Sequence, residues 1–193
     1  MKTLHHILLV VLFCFYSTAH ANDWQANKDS SLTFSSSYQS EAFTGAFTRF
    51  TPQIRFNPKL LAESRFDVAI DLSSVDSKNS ERDDTLKTSD FFNINKSLKA
   101  RYTATQFKHL GGNRYQANGK LFLNGVSKPV NLIFTWAQNK GAVLKGDAVV
   151  NRLDFNIGTG DWADTDLLPN AVKVHTQLNL SAKTAAKSSP AQP

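Results

Sequence analysis

Apolar and polar residues alternate at every second position along most of this chain. Successive side chains of a β-strand point to opposite faces, so this period is typical of antiparallel strands with one buried face each. Phe66, Val68 and Ile70, for example, alternate with Asp67 and Ala69. The same spacing recurs at residues 32–38, 43–47, 54–56, 115–123, 130–136, 144–150 and 172–180. The alternation predicts an all-β fold of seven or eight strands, arranged as an up-and-down barrel or as a sandwich.

Turn-forming residues separate these segments. Asn124-Gly125 is a strong signal for a two-residue hairpin. Further turns are predicted at Gly111-Gly112-Asn113, at Asn139-Lys140-Gly141 and at Asn57-Pro58. The only helical candidate lies at residues 80–87, so consecutive strands are expected to pair as a meander.

The two ends of the chain differ in composition from the segment between them. Lys2 precedes an apolar run and small residues lead up to Ala21, so residues 1–21 are predicted to be a secretory signal peptide, cleaved before Asn22. The apolar run is shorter than the roughly 20 residues that span a bilayer, so a retained anchor is not expected. Residues 183–193 are small, polar and proline-bearing, which predicts a disordered tail. Residues 22–182 then form a single domain.

Cysteine content and charge narrow the possible functions. Cys14 is the only cysteine and lies inside the predicted signal peptide, so the exported chain depends on its core or on a ligand rather than on disulfides. The bulky Phe13 before it argues against lipoprotein processing. The formal net charge is +6, but the basic residues are scattered singly, which argues against a nucleic-acid-binding role.

Several positions on the predicted inward face carry small residues. These positions are Gly45, Ala104, Ala117, Gly119, Gly146 and Ala148. A small barrel that fills its own interior would favour Leu or Ile there. Glycine in a strand also marks a bend or bulge, which barrels need in order to close. We interpret the set as a sign of an apolar cavity that is wide enough for a ligand.

Residues suited to catalysis or metal binding are few. The exported chain holds two histidines, and His175 falls on the outward phase of its strand. The sequence lacks the Gly-x-Ser-x-Gly and His-Glu-x-x-His motifs, so we expect no enzymatic activity. The acidic loop that contains Asp161, Asp164 and Asp166 lacks the glycine and glutamate of an EF-hand, so no metal site or cofactor is expected. Trp162 in that loop is either a rim residue of the barrel or a contact for a partner.

Four sequence blocks resemble the YceI family. They are Asp71-Leu-Ser-Ser-Val-Asp76, Glu81-Arg-Asp83, Leu86-Lys-Thr-Ser-Asp-Phe-Phe92 and Gly119-Lys-Leu-Phe-Leu-Asn-Gly-Val-Ser-Lys-Pro-Val130. The resemblance extends over residues 23–182. Residues 151–166 resemble a branch of the family that is associated with membrane b-type cytochromes. Tyr38 stands where a histidine is common in the family, and the segment before Arg101 lacks the usual proline.

The resemblance implies a lipocalin-like, eight-stranded antiparallel β-barrel that is exported to the periplasm. It also implies that a polyisoprenoid chain, or a similar long-chain amphiphile, lies inside the barrel. Several members of the family are homodimers, so a homodimer is a further expectation, as is a membrane b-type cytochrome as partner.

Residues 79–92 carry six charges and then end on two adjacent phenylalanines, Phe91 and Phe92. We interpret this segment as a short polar helix that covers one end of the barrel, with Asn79 or Ser80 as its N-cap. Leu86, Phe91 and Phe92 would then face the interior, either as ligand contacts or as packing beneath the barrel. Arg82 and Asp83 are interpreted as a structural brace to the barrel rim.

The leading hypothesis is a periplasmic carrier protein for an isoprenoid lipid, and a quinone is one candidate for that lipid. The alternative is an interaction protein with a solid barrel that docks onto a membrane cytochrome, and an enzyme acting on a lipid head group is the least favoured class. The candidate cavity residues are Phe34, Phe43, Phe47, Phe66, Val68, Ile70, Leu86, Phe91, Phe92, Leu121, Leu132, Phe134, Ala148 and Trp162.

Overall fold

A computed structural model describes residues 22–183. Its strands are β1 (Asn22–Ala26), β2 (Ser31–Tyr38), β3 (Glu41–Phe47), β4 (Phe50–Phe56), β5 (Arg65–Asp71), β6 (Val75–Asp76), β7 (Lys99–Gly111), β8 (Arg114–Leu123), β9 (Val126–Gln138), β10 (Ala142–Asn151) and β11 (Ala171–Ala182). One α-helix, α1 (Ser80–Lys87), follows β6. Short 3₁₀ turns lie at Leu61–Glu63, Leu72–Ser74, Arg152–Phe155 and Gly160–Trp162.

The strands close into an antiparallel barrel in which each strand pairs with the next one along the chain. β1 and β2 lie in succession along β11, where Trp24 pairs with Ala182 and Thr33 pairs with His175. β4 pairs with β1, and β3 pairs with β2. On their other edges, β4 pairs with β5, and β3 pairs with β6. Three bent barrel strands therefore each consist of two consecutive segments: β1 with β2, β3 with β4, and β5 with β6. The result is the closed, eight-stranded antiparallel barrel that the family resemblance implied, and not the sandwich that the alternation also allowed.

Two hairpins show how local chemistry sets the strand register. Asn124 and Gly125 have positive φ values of 49° and 80°, as a type I′ turn requires, and they connect β8 to β9 where predicted. Gln39 and Ser40 also have positive φ values, 49° and 68°, and connect β2 to β3. Neither residue type favours that conformation, so this second hairpin is difficult to predict from residue type.

The helix α1 forms where the charged segment predicted it. The side chain of Asn79 accepts a hydrogen bond from the Arg82 amide at 3.0 Å and so caps the first turn. After the helix, the amide of Phe92 donates to the carbonyl of Leu86 at 3.0 Å, which folds the chain back towards the barrel. Leu86, Phe91 and Phe92 are all buried by this arrangement.

The interior of the barrel is divided into two halves, each with its own cluster of apolar side chains. At one end, which we call the solid end, Phe56 is fully buried and its ring lies 4.8–6.0 Å from five other aromatic rings. The β7–β8 and β9–β10 connections close this end. At the other, the capped end, α1 and the β10–β11 connection lie over a second cluster.

The predictions for the two ends of the chain fall mostly outside the described residues. The signal peptide at 1–21 lies there, and so does the tail from residue 184 onward. Lys183, the first residue of the predicted tail, is still attached to the barrel, because its amide donates to the Asp23 carbonyl at 2.9 Å. Within residues 22–183, no helix combines the length and the apolar character needed to cross a membrane.

Candidate functional site

The capped half of the barrel contains a cavity of about 210 Å³. All barrel strands contribute to its wall, and α1 with the segment that follows it contributes to its cover. The lining residues are Leu32, Phe34, Ser36, Phe43, Phe47, Phe50, Ile54, Phe66, Val68, Ile70, Leu72, Leu86, Phe91, Phe92, Ala100, Tyr102, Leu121, Leu123, Val130, Leu132, Leu144, Ala148, Val150, Arg152, Ile157, Leu168, Val172, Val174, Thr176 and Leu178.

The lining is almost wholly apolar. Only Ser36, Tyr102, Arg152 and Thr176 carry polar atoms, and the Thr176 hydroxyl already donates to the Ser31 carbonyl at 3.0 Å. Such a wall offers hydrocarbon contacts in every direction and few hydrogen bonds. It suits an aliphatic chain better than a sugar, a nucleotide or a peptide.

All but two of the candidate cavity residues line this cavity. They are Phe34, Phe43, Phe47, Phe66, Val68, Ile70, Leu86, Phe91, Phe92, Leu121, Leu132 and Ala148. Phe134 does not, because it belongs to the solid end, where its ring packs 5.3 Å from Phe56 and its side chain is 1% exposed. Trp162 does not either, because it lies behind Phe91, with ring centroids 5.2 Å apart, and contacts Tyr38 on its other side. The prediction that Phe134 and Trp162 line the cavity is therefore wrong.

Most of the small residues that were expected to create the cavity do not border it. Gly45 and Gly119 leave no open space, because a side chain at either position would overlap the ring of Phe34 or of Tyr102. A Cβ at Gly146 would come within 2.9 Å of Leu132. Ala104 and Ala117 lie in the solid end and are 3% and 0% exposed. Of the small residues, only Ala148 borders the cavity.

The cover of the cavity begins with α1. The guanidinium of Arg82 lies 4.5 Å from the ring centroid of Phe43, a cavity residue, as a cation–π contact. The carboxylate of Asp83 accepts a hydrogen bond from the Ser77 amide at 2.8 Å and fixes the start of the helix to the end of β6. Both brace candidates therefore contact the barrel rim, Asp83 through a hydrogen bond and Arg82 through an aromatic ring.

Two phenylalanines complete this part of the cover. The ring of Phe92 packs 5.7 Å from Phe47 on β3. Phe91 lies against Trp162 of the β10–β11 connection. The apolar end of the charged segment thus faces the cavity, while Glu81, Asp84 and Asp90 are exposed to solvent.

Arg152 is the residue that sequence reasoning missed. It is 3% exposed, and its five N–H groups all donate to backbone carbonyls of the β10–β11 connection: Nε to Pro169, Nη1 to Ile157 and Gly158, and Nη2 to Trp162 and Leu168. Burial lowers the pKa of its guanidinium below the ordinary value. No carboxylate among the described residues pairs with it. A single arginine in a segment of mixed polar and apolar residues gave no signal of this role.

Gly158 joins the β10–β11 connection to the segment after α1. Its φ of +63° favours glycine, and a Cβ there would lie 2.7 Å from Nη1 of Arg152 and 3.2 Å from the Phe91 ring. Its amide donates to the Asp90 carbonyl at 2.6 Å. The two parts of the cover are therefore held together as one unit.

Two neutral hydroxyl groups also border the cavity. Burial raises the pKa of the Tyr102 phenol, which stays protonated and donates to the Ala117 carbonyl at 3.3 Å. Ser36 Oγ is buried and has no hydrogen-bond partner among the described residues. An unpaired buried hydroxyl is unfavourable by about 1–3 kcal/mol.

Groups that could support catalysis or bind a metal do not converge on the cavity. His175 is exposed and its Nδ1 lies 2.8 Å from an Asp147 oxygen on the outer face of the barrel. His109 lies 2.8 Å from the Gly112 carbonyl, beyond the solid end. Among residues 22–183, no three His, Cys, Asp or Glu side chains gather as a metal-ion site. The acidic loop instead forms a local turn, in which Asp164 accepts from the Asp166 amide at 2.9 Å.

Comparisons with known proteins agree on one family. The YceI-like domain matches residues 24–182. A UPF0312 protein of Pectobacterium atrosepticum is 33% identical over 123 residues, which cover 60% of this chain and 63% of that protein, so the match spans somewhat less than two thirds of the relative. A UPF0312 protein of Vibrio parahaemolyticus is 30% identical over 154 residues, which cover 74% of this chain and 82% of the relative.

Two solved structures share the fold. The crystal structure of Burkholderia cenocepacia BcnA is 28% identical, with a TM-score of 0.77, and the match covers 80% of this chain and 98% of BcnA. A polyisoprenoid binding domain from Saccharophagus degradans, implicated in plant cell wall breakdown, is 16% identical, with a TM-score of 0.65. That match covers 85% of this chain and 100% of that domain, and at this identity it speaks for the fold alone.

Proposed function

The chain belongs to the YceI-like family, and from this premise we propose that it binds the hydrocarbon tail of an isoprenoid lipid, or of a similar long-chain amphiphile, inside its barrel. The apolar cavity in the capped half is the observation that carries the proposal. The protein then acts as a carrier that shields the tail from water. A domain of the same fold that is described as polyisoprenoid binding supports this choice of ligand class.

The free energy of burial favours such a ligand. Each methylene that moves from water into an apolar cavity contributes about 0.8 kcal/mol. Fixing the ligand costs about 4–15 kcal/mol in lost translational and rotational freedom, and ordering its bonds adds to that cost. The free energy of burying ten or more carbons therefore offsets the lower part of this cost without any hydrogen bond. An apolar wall suffices for binding.

The function is tested by filling the cavity. Ala148 borders it and is half-buried, while the next residue, Val149, is 57% exposed on the outer face of the same strand. Ala148→Leu should weaken the binding of farnesol to delipidated protein, measured by native mass spectrometry, because the added carbons occupy ligand space. Val149→Leu adds one methylene outside the barrel and should leave binding unchanged.

The same variants distinguish a hollow interior from a packed one. In a packed core, Ala148→Leu would be destabilising by about 1–3 kcal/mol through overpacking. In the cavity, it should leave the melting temperature of ligand-free protein unchanged or slightly raised, because new apolar area is buried. Lowered stability together with unchanged farnesol binding would contradict the proposal.

The site of action that we propose is the periplasm, on the strength of the predicted signal peptide. N-terminal sequencing of protein recovered from the periplasm should give Asn22 as the first residue. Recovery of a chain that begins with Met1, or that is acylated at Cys14, would contradict export by this route.

A membrane b-type cytochrome as partner and a homodimer remain predictions from the family resemblance, and a quinone remains one candidate for the ligand. A binding role without catalysis is also part of the proposal. It is supported by the two titratable side chains that line the cavity, because Tyr102 and Arg152 both donate to backbone carbonyls. A quinone would place its prenyl tail in the cavity in the same way as a prenol.

A further inference from the structure

The floor of the cavity is formed by residues that also belong to the solid end. Ile54, Phe66, Leu144 and Leu178 line the cavity and at the same time pack into the aromatic cluster below it. Phe66 is 1% exposed, and its ring lies 4.8 Å from Phe107 and 5.3 Å from Phe134. The cavity therefore ends at about mid-height of the barrel instead of running through it.

Tyr102 forms the wall at the level of this floor. It projects from β7, where it pairs with Leu121 of β8, and its ring covers Gly119, the next inward-facing position of β8. The phenol then reaches one further inward-facing position and donates to the Ala117 carbonyl. Tyr102 contacts both the solid cluster and the cavity cluster.

The residues beneath the Tyr102 ring are unusually small. Gly119 pairs with Ala104 across the β7–β8 ladder, and Ala117 follows on the same face of β8. Without the ring, these three residues would leave a groove along the wall of the barrel towards the solid end. The ring of Tyr102 fills the upper part of that groove.

The depth of the cavity limits the tail that it can hold. The residues that line the cavity span four positions on β5, from Phe66 to Ile70, and six on β10, from Leu144 to Val150, or about 13–20 Å along the strands. Because barrel strands are tilted by about 35–45°, this distance corresponds to a depth of about 10–15 Å. An extended chain advances about 1.2 Å per bond, so the depth matches roughly eight to twelve bonds in a straight line, or about two to three isoprene units.

We propose that Tyr102 sets the chain length of the ligand. The barrel buries short prenyl tails of two or three isoprene units, and the additional units of longer tails are not buried. The inference rests on the proposed function and adds the class of tail to it. Longer tails enter only in part, because the units beyond the floor find no apolar space and remain in water or beneath the cover.

The test is a chain-length series on delipidated protein with geraniol, farnesol, geranylgeraniol and a decaprenol, measured by native mass spectrometry. Wild-type affinity should rise from geraniol to farnesol and then stop rising, because further units are not buried. Tyr102→Ala should raise the ratio of geranylgeraniol to farnesol affinity by about tenfold or more, since part of one further isoprene unit can enter the groove.

Two further variants keep the test decisive. Tyr102→Phe retains the ring and should keep the wild-type chain-length profile. Tyr102→Leu retains apolar bulk but shortens the side chain, and should shift the profile in the same direction as Tyr102→Ala even where the alanine variant folds poorly, as judged by thermal melting.

The possible results separate the two proposals. If wild-type affinity continues to rise through geranylgeraniol and decaprenol, or if neither Tyr102→Ala nor Tyr102→Leu changes the profile, the chain-length role is overturned while lipid binding stands. If no prenol of any length binds to the wild type, the proposed function fails and this inference fails with it.

Discussion

At the scale of single residues, the protein uses its few buried polar groups to hold the cover of the cavity. Arg152 satisfies five backbone carbonyls of the β10–β11 connection, which would otherwise be buried without donors. An arginine suits this task because its five N–H groups spread in a fixed plane. Every donor is used, so none remains for a ligand.

Replacing Arg152 should therefore destabilise the fold strongly. Arg152→Met keeps much of the aliphatic volume but leaves the five carbonyls without donors, and each unpaired buried group is unfavourable by about 1–3 kcal/mol. We expect the unfolding free energy in urea to fall by about 3 kcal/mol or more. Arg101→Met is the control, since it removes a single ion pair with Asp67 on the outer surface, which should contribute at most about 1 kcal/mol. Equal stability of the two variants would contradict the role of Arg152.

Substitution of one phenylalanine at each end of the barrel should distinguish effects on stability from effects on ligand binding. Phe56 is fully buried in the solid end, whereas Phe92 borders the cavity and is 9% exposed. Phe56→Ala should lower the unfolding free energy by about 3–5 kcal/mol. Phe92→Ala should lower it less but should reduce the lipid that co-purifies with the protein. A Phe92→Ala variant that melts far below wild type with unchanged lipid content would place Phe92 in the structural core instead.

The ionisation of Asp67 is expected to make the stability of the fold depend on pH. Hydrogen bonds from the Arg101 guanidinium hold the pKa of this carboxyl below its usual range. A carboxyl with a lowered folded-state pKa contributes stability above its unfolded pKa of about 3.9, and this contribution is lost as the pH falls through the folded value. Asp67→Asn should therefore lower the melting temperature at pH 7 and have a smaller effect near pH 3. An equal effect at both values would show that the charge of Asp67 does not contribute.

At the scale of secondary-structure elements, the helix α1 depends on its cap and its contacts. Eight residues are too few for a helix to be stable alone in water, so the barrel and the N-cap must hold it. Asn79→Ala removes the hydrogen bond to the Arg82 amide and should lower the unfolding free energy by about 0.5–2 kcal/mol. Ser80→Ala changes the neighbouring exposed position and should have little effect. Similar losses for both variants would mean that the cap contributes nothing specific.

The elements that sequence predicted well are those specified by local chemistry. The alternation of apolar residues gave the strands, Asn124-Gly125 gave a hairpin, and the charges around Glu81 and Lys87 gave the helix. The hairpin at Gln39 and Ser40 was harder to predict, because neither residue favours positive φ and the turn is imposed by the pairing of its flanking strands. Local propensity does not contain that information.

The positions of interior side chains were harder to predict than the strands themselves. Alternation tells which residues point inward but not how high in the barrel they lie. Phe134 was therefore placed in the cavity, although the register puts it beside Phe56. Gly119 was expected to leave space, although Tyr102 from the neighbouring strand covers it. Both errors concern contacts between strands, which depend on register.

At the scale of the whole molecule, the barrel separates a structural half from a binding half. The solid end supplies the dense aromatic packing, and the capped end supplies the cavity. This division predicts that removal of the ligand leaves the barrel folded. Delipidated protein should keep its β-sheet circular dichroism, and added farnesol should raise the melting temperature in a concentration-dependent way, as binding to the folded state requires. Loss of cooperative unfolding after delipidation would mean that the ligand is instead part of the core.

The central claim is that the barrel carries a lipid tail in its apolar cavity. Protein made with its own leader, purified from the periplasm without detergent and extracted with organic solvent should release an amphiphile with a prenyl or similar aliphatic tail, detected by mass spectrometry. We predict close to one such molecule per barrel, and much less from Ala148→Leu prepared in the same way. Extracts of the wild-type protein that contain no aliphatic ligand, or the same amount as extracts of Ala148→Leu, would contradict the claim.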